Sequence, residues 1–417
     1  MNEAPRPGRE VGPLSGPLGN KSQALALLCL TELMGMSVWF SASAVVPALA
    51  AAWGLRASGQ AWLTMSVQLG FVAGALGSAV LNLADRIPGR ALFAVSSVLA
   101  GASTLLIPAA GNGFLPALIF RFMTGVFLAG VYPVGMKIMA TWTREDRGFG
   151  VGLLVGALTV GSAAPHLFRA LGGIGDWRPV LVLSGGLAVA GGFFAAAFVR
   201  EGPFRSAPAD FDWEYAATIW KDRGIALANL GYFGHMWELY AVWTWTPVFL
   251  AASFKAVGAD ERAAGLAGFA VVAVGGIGSL VAGRLADRFG RTVVTSAAMA
   301  ISGACCILAG LLFGQNPWLL TILCLVWGFS VVADSGQFSA GVSELAPPGR
   351  IGTALTVQTS LGFLLTLVTI RLVPTFERLV TWRYAFAFLA LGPAAGIWAM
   401  LRLRGLPASE RMAAGRR

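Results

Sequence analysis

The chain has 417 residues, 56% of them hydrophobic and only 12% charged, with a mean hydropathy of +0.71. So few charges cannot clothe a water-facing surface of this length, which excludes soluble classes and points to an integral membrane protein. The formal net charge of +10 reads as membrane topology and not as affinity for nucleic acid, because an N-terminus on the cytoplasmic side puts most Lys and Arg residues there.

A polar, Pro/Gly-rich leader (1–22) precedes apolar runs at about 24–50, 59–82, 90–110, 113–140, 148–170 and 178–199. After a charged connection at 200–224, further runs cover 225–252, 262–283, 292–313, 316–340, 351–374 and 382–404, each near the roughly 20 residues that cross a bilayer. No convincing A-x-A cleavage site follows the first run, so it reads as a retained helix. The expectation is an all-α membrane protein of twelve transmembrane helices. Its domains would be a six-helix bundle at 23–199, a cytoplasmic linker at 200–224, a second bundle at 225–404 and a basic cytoplasmic tail at 405–417, which reads as solvated. In the linker, Asp210-Phe211-Asp212-Trp213-Glu214-Tyr215 leading to Ile219-Trp220 predicts a short amphipathic helix on the membrane surface.

The two halves repeat one another. Asn82-Leu83-Ala84-Asp85-Arg86-Ile87-Pro88-Gly89-Arg90 returns as Gly283-Arg284-Leu285-Ala286-Asp287-Arg288-Phe289-Gly290-Arg291. Gly125 matches Gly328, Pro47 matches Pro247, Arg147-Gly148-Phe149-Gly150 matches Arg350-Ile351-Gly352, and Asp176-Trp177-Arg178 matches Thr381-Trp382-Arg383. Six spans per half make the repeats parallel, with a substrate site expected between them.

Charges at bilayer depth are functional candidates by default. In chain order they are Glu32, Arg121, Glu238, Asp334 and Arg371, with His166 and His235. On the seventh run His235 and Glu238 share a helical face and are expected to bond to each other. Trp237 and Tyr240 there are candidates to line a cavity with Tyr232, Trp39 and Gln337, while Trp243 and Trp245 fit an interfacial belt. Asp334 has its first-half counterpart near Val131 or Tyr132, so its charge is peculiar to one half. Arg169 and Arg371 stand at matching places near outer helix ends, where snorkelling or a cationic vestibule explains them. Cys29, Cys305, Cys306 and Cys324 all fall inside apolar runs, and no metal-ligand spacing, Walker loop, nucleophile elbow or dinucleotide fingerprint occurs, so no cofactor and no enzymatic activity is expected.

The motif Gly283-x-x-x-Asp287-Arg288-x-Gly290-Arg291 resembles the signature of the major facilitator superfamily between its helices eight and nine. The first copy departs from it at Leu81 and Pro88. The resemblance implies gating roles for Asp85, Arg86, Arg90, Asp287, Arg288 and Arg291. Arg121-x-x-x-Gly125 is similar to the motif whose arginine is associated with proton relay, and Glu32 stands where proton-coupled antiporters of the family carry a carboxylate, so the resemblance implies a Glu32–Arg121 pair. Spans two and eight lack the paired arginines of nitrate carriers. Pro165-His166 stands where the antiporter motif has Gly-Pro.

The resulting expectation is a secondary transporter of the inner cell membrane, working as a monomer. Glu32, Arg121, His235 and Glu238 would couple protons, and Trp39, Tyr232, Trp237, Tyr240, Asp334 and Gln337 would bind a small organic solute, with carboxylates and other anions as candidates. Export of amphipathic drugs is the alternative within the class, and a non-transporting receptor on the same fold the alternative outside it.

Overall fold

A computed structural model describes residues 21–110, 113–143, 146–172, 175–204 and 210–417. The predicted leader falls almost wholly outside them, as does 205–209 of the predicted linker. Among the described residues all regular structure is helical, and all twelve predicted positions carry helix.

The spans are numbered in chain order. Span 1 is Lys21–Met36, Ser41–Ala44 and Val46–Trp53; span 2, Ala57–Val80; span 3, Gly89–Ala110; span 4, Phe114–Leu128 and Tyr132–Trp142; span 5, Arg147–Gly172; span 6, Arg178–Phe198. Span 7 is Arg223–Ala256; span 8, Glu261–Ala273 and Gly275–Phe289; span 9, Arg291–Leu311; span 10, Pro317–Ala333 and Ser335–Leu345; span 11, Ile351–Tyr384; span 12, Leu391–Arg404. Among the described residues, nine of these are long and apolar enough to cross a bilayer. The other three are span 1, which is broken; span 7, which carries the densest polar run; and span 12, which is short.

Local chemistry sets the boundaries. Asp222, Asp260 and Asn316 each accept two backbone N–H bonds at the starts of spans 7, 8 and 10, and Pro317 follows Asn316 at the first helical position. The matched triplets do the same work in both halves. Asp176 Oδ1 accepts the Arg178 amide at 3.0 Å and Thr381 Oγ1 accepts that of Arg383 at 3.4 Å. Thr381 sits at φ 59°, a strained position for a β-branched residue, and breaks span 11 there. In the linker a helix forms at Trp213–Thr218, capped by Asp212.

The repeat is also a packing repeat. A Cβ on Gly125 would collide with the Val67 carbonyl of span 2, and one on Gly328 with the Val271 carbonyl of span 8, so both glycines let helices meet backbone to backbone. Spans 4 and 10 break at equivalent places, after Leu128 and at Asp334. The break is shared; the carboxylate is not.

Candidate functional site

Contact between the first six spans and the last six runs the whole length of the molecule. Gly152 and Gly156 of span 5 lie against Ser279 and Gly276 of span 8. Gln68 of span 2 accepts a hydrogen bond from Thr366 of span 11 at 2.8 Å. Between these seams an aromatic cluster joins the two sets: Trp39 meets Tyr240 at 5.8 Å and Phe363 at 5.6 Å, Phe71 meets Phe363 at 4.6 Å, and Phe40 meets Trp243 edge-on at 5.8 Å. Trp39, Phe40, Phe71 and Tyr240 are all buried.

Trp39 and Phe40 occupy the break in span 1, where residues 37–40 leave the helix. Irregular backbone inside a membrane needs donors for its carbonyls. Arg121 of span 4 supplies them: Nη1 donates to Val38 O at 2.7 Å and to Ser41 Oγ at 3.1 Å, Nη2 to Trp39 O, and Nε to Leu63 O of span 2. The expected Glu32–Arg121 pair is therefore not formed. Arg121 grips the carbonyls beyond Met36, whereas Glu32 lies before the break and points at span 4, its Oε2 2.6 Å from where a Gly135 side chain would begin. Glu32 is fully buried, and among the described residues neither of its oxygens has a hydrogen-bond partner.

The expected His235–Glu238 bond is not formed either. Three residues turn a helix far enough to give the two side chains different neighbours. His235 Nδ1 lies 2.8 Å from Asp334 Oδ1 at the break of span 10, close enough for an ion pair although not aligned as a hydrogen bond. Glu238 Oε2 accepts from Ser302 Oγ at 2.7 Å and Cys306 Sγ at 3.3 Å on span 9. Tyr232 packs on Phe338 and Gly362. Trp237 turns away from the interface, its indole donating to Phe388 O near the start of span 12. Trp243 and Trp245 are buried rather than belted at the surface, Trp245 donating to Ile370 O at 2.9 Å.

Gln337 belongs to the cluster around Arg291 instead of the aromatic cluster: its Oε1 accepts from Arg291 Nη1 at 2.7 Å. Arg291 also holds Glu344 through two bonds of 2.6 and 2.7 Å and lies 3.7 Å from Asp287. Asp287 presses its carboxylate onto Gly148 at the start of span 5, in the first half. The other copy does different work. Asp85 pairs with Lys137 of span 4, while Asn82 and the Gly89 amide bond to Asp210 and Glu201 of the linker. Gly352, at the start of span 11, meets nothing equivalent to Asp287. Arg86 is exposed, Arg90 half-buried, and Arg288 lies over the Phe289 ring at 5.2 Å.

Sequence reading missed several partners, because they come from distant spans and carry no local signature: Lys137, Glu344, Ser302 and Glu261, the last of which bonds Arg169 at 3.2 Å. It also missed the tail. Residues 405–417 are packed in part: Met412 is buried, the Ala413 amide donates to Glu344, Arg416 donates to the Asp287 carbonyl, and Thr292 donates to Arg417 O, while Glu410, Arg411 and Arg416 stay exposed.

Comparison with known proteins agrees with this architecture. The family model described as Major Facilitator Superfamily matches residues 27–368 and 228–416. The crystal structure of the human organic anion transporter MFSD10 (TETRAN) is similar with a TM-score of 0.68 at 15% identity, over 92% of this chain and 100% of that one. No curated protein sequence matches. With a duplicated helical architecture and a family match spanning nearly its whole length, the chain belongs to the Major Facilitator Superfamily of membrane transporters.

Proposed function

We propose that the protein is a proton-coupled secondary transporter that moves a small organic solute by alternating access, with the face bearing the linker and tail in the cytoplasm of a cell whose inner membrane it spans as a monomer. The observation that carries this reading is Glu32, fully buried with no partner for either oxygen among the described residues. An ionised carboxylate so placed costs several kcal/mol, so its charge must be met by a proton or by a solute group during the cycle. Glu238, Asp334 and His235 form a second titratable group inside the last six spans, and Arg121 holds the broken stretch of span 1 beside the aromatic cluster. That cluster supports the second reading, export of amphipathic compounds, since stacked rings accept varied apolar bodies.

The test is proton flux in reconstituted vesicles carrying an internal pH dye, with a panel of carboxylates, amino acids, sugars and cationic drugs. Proton movement that depends on a solute and disappears in Glu32→Gln is the expected result. Solute movement without protons, unchanged in Glu32→Gln, would make Glu32 structural and the protein a uniporter or exchanger.

A further inference from the structure

At the face opposite the linker, a small cavity lies between spans 5, 7 and 8, lined by His166, Arg169, Ala170, Pro247, Ala251, Glu261 and Gly265. Its volume of about 20 Å³ holds one water and no solute. We propose that this cavity is the first docking site for the carboxylate of an organic-acid solute, and that Glu261 stands in for that carboxylate while the face is closed. The proposal rests on the transporter reading and adds the substrate class.

The two ends of the Arg169–Glu261 bridge differ. The Arg169 side chain is 20% exposed and that of Glu261 is 55% exposed. Arg169 is further held by donating Nη1 to the Ala44 carbonyl at 3.2 Å, on the last turn of the short helix in broken span 1. Glu261 is the first residue of its helix, directly after the capping Asp260. The guanidinium is fixed and the carboxylate is exchangeable. One turn before Arg169 on the same helix, His166 is buried, lines the same cavity and has no partner for Nε2 among the described residues. In its Nε2–H tautomer it is a donor waiting for an acceptor.

When Glu261 swings to solvent, the volume of its carboxylate joins the cavity. An arriving carboxylate then takes two N–H bonds from Arg169, the geometry guanidinium favours, and a third from His166. The remaining walls, Ala170, Pro247, Ala251 and Gly265, suit an apolar body. The exchange also has a mechanical consequence. Arg169–Glu261 joins span 5 to span 8 across the two six-span sets, so a solute that replaces Glu261 unties the sets at that face.

The experiment follows the melting temperature of the purified full chain in detergent against benzoate, with benzamide and benzylamine as the neutral and cationic counterparts. Benzoate alone should stabilise the wild type. Glu261→Gln removes the internal competitor and should tighten apparent benzoate affinity about two- to five-fold, the scale of an exposed ion pair. His166→Ala should weaken it and Arg169→Gln should abolish it. The gain in Glu261→Gln keeps the test decisive if Arg169→Gln fails to fold. Equal effects of benzoate and benzamide, a preference for benzylamine, or an affinity unmoved by Glu261→Gln would each overturn the proposal. Docking is read from melting in detergent, without a proton gradient, and coupling from proton flux in vesicles, so the two readings stand or fall separately.

Discussion

The carboxylate of Asp287, at the end of span 8, rests on Gly148, at the start of span 5, so that a Cβ on Gly148 would collide with it. The contact joins the two six-span sets at the linker face. It puts a carboxylate at a helix N-terminus, where backbone N–H groups and the helix dipole favour negative charge. Only one copy of the repeated loop makes such a lock among the described residues, because Asp85 is turned to Lys137.

Gly148→Ala should therefore loosen that face at a cost of about 1–3 kcal/mol, since the methyl forces Asp287 off the helix start. Spin labels at Ile87→Cys and Pro348→Cys, on exposed loops of the two sets, would report it in a background freed of native cysteines. A longer-distance population should grow relative to the unsubstituted protein. An unchanged distribution would show that Asp287 is not a lock.

Arg121 is predicted to be irreplaceable by lysine. Its planar fork serves three carbonyls and one hydroxyl from two spans, whereas an ammonium group cannot span the same set. Arg121→Lys should cost about 2–4 kcal/mol, because each buried carbonyl left without a donor costs about 1–3. Thermal unfolding in detergent checks this. Wild-type melting in Arg121→Lys would mean that the break in span 1 finds its donors elsewhere.

Glu32→Gln should leave the fold intact or stabilise it. The wild-type carboxylate has no hydrogen bond to lose among the described residues, and an amide of the same shape removes the charge. By contrast, Ser302→Ala deprives Glu238 of a 2.7 Å bond and should destabilise by about 1–3 kcal/mol. The melting temperature of Glu32→Gln should hold or rise while that of Ser302→Ala falls, and a marked loss of stability in Glu32→Gln would reveal a partner for that carboxylate.

Removing the tail after Gly405 should weaken the ends of spans 8, 9 and 10 together, since Met412 packs against Gly341 while Arg416, Arg417 and Ala413 bond to Asp287, Thr292 and Glu344. Limited proteolysis should then cut the loops at the linker face faster. Met412→Ala should reproduce part of the effect by emptying one buried site.

Composition, the apolar runs and the duplicated loop were enough to determine the class, the helical positions and the places where the two halves echo one another. These follow from local rules: a span needs length and apolarity, a cap needs Asp, Asn or Thr, and a backbone crossing such as Gly125 of span 4 against span 2, or Gly328 of span 10 against span 8, needs glycine. The candidate polar residues were legible too, because charge at bilayer depth is conspicuous in any order. Their partners were not. His235 and Glu238 were paired by helical spacing, and Glu32 and Arg121 by likeness to family motifs, yet neither pair forms, because each side chain faces whatever packs against its own side of its own helix. Whether a buried charge is met by a carbonyl, a histidine or nothing depends on which helices pack against it, and only the tertiary structure decided that.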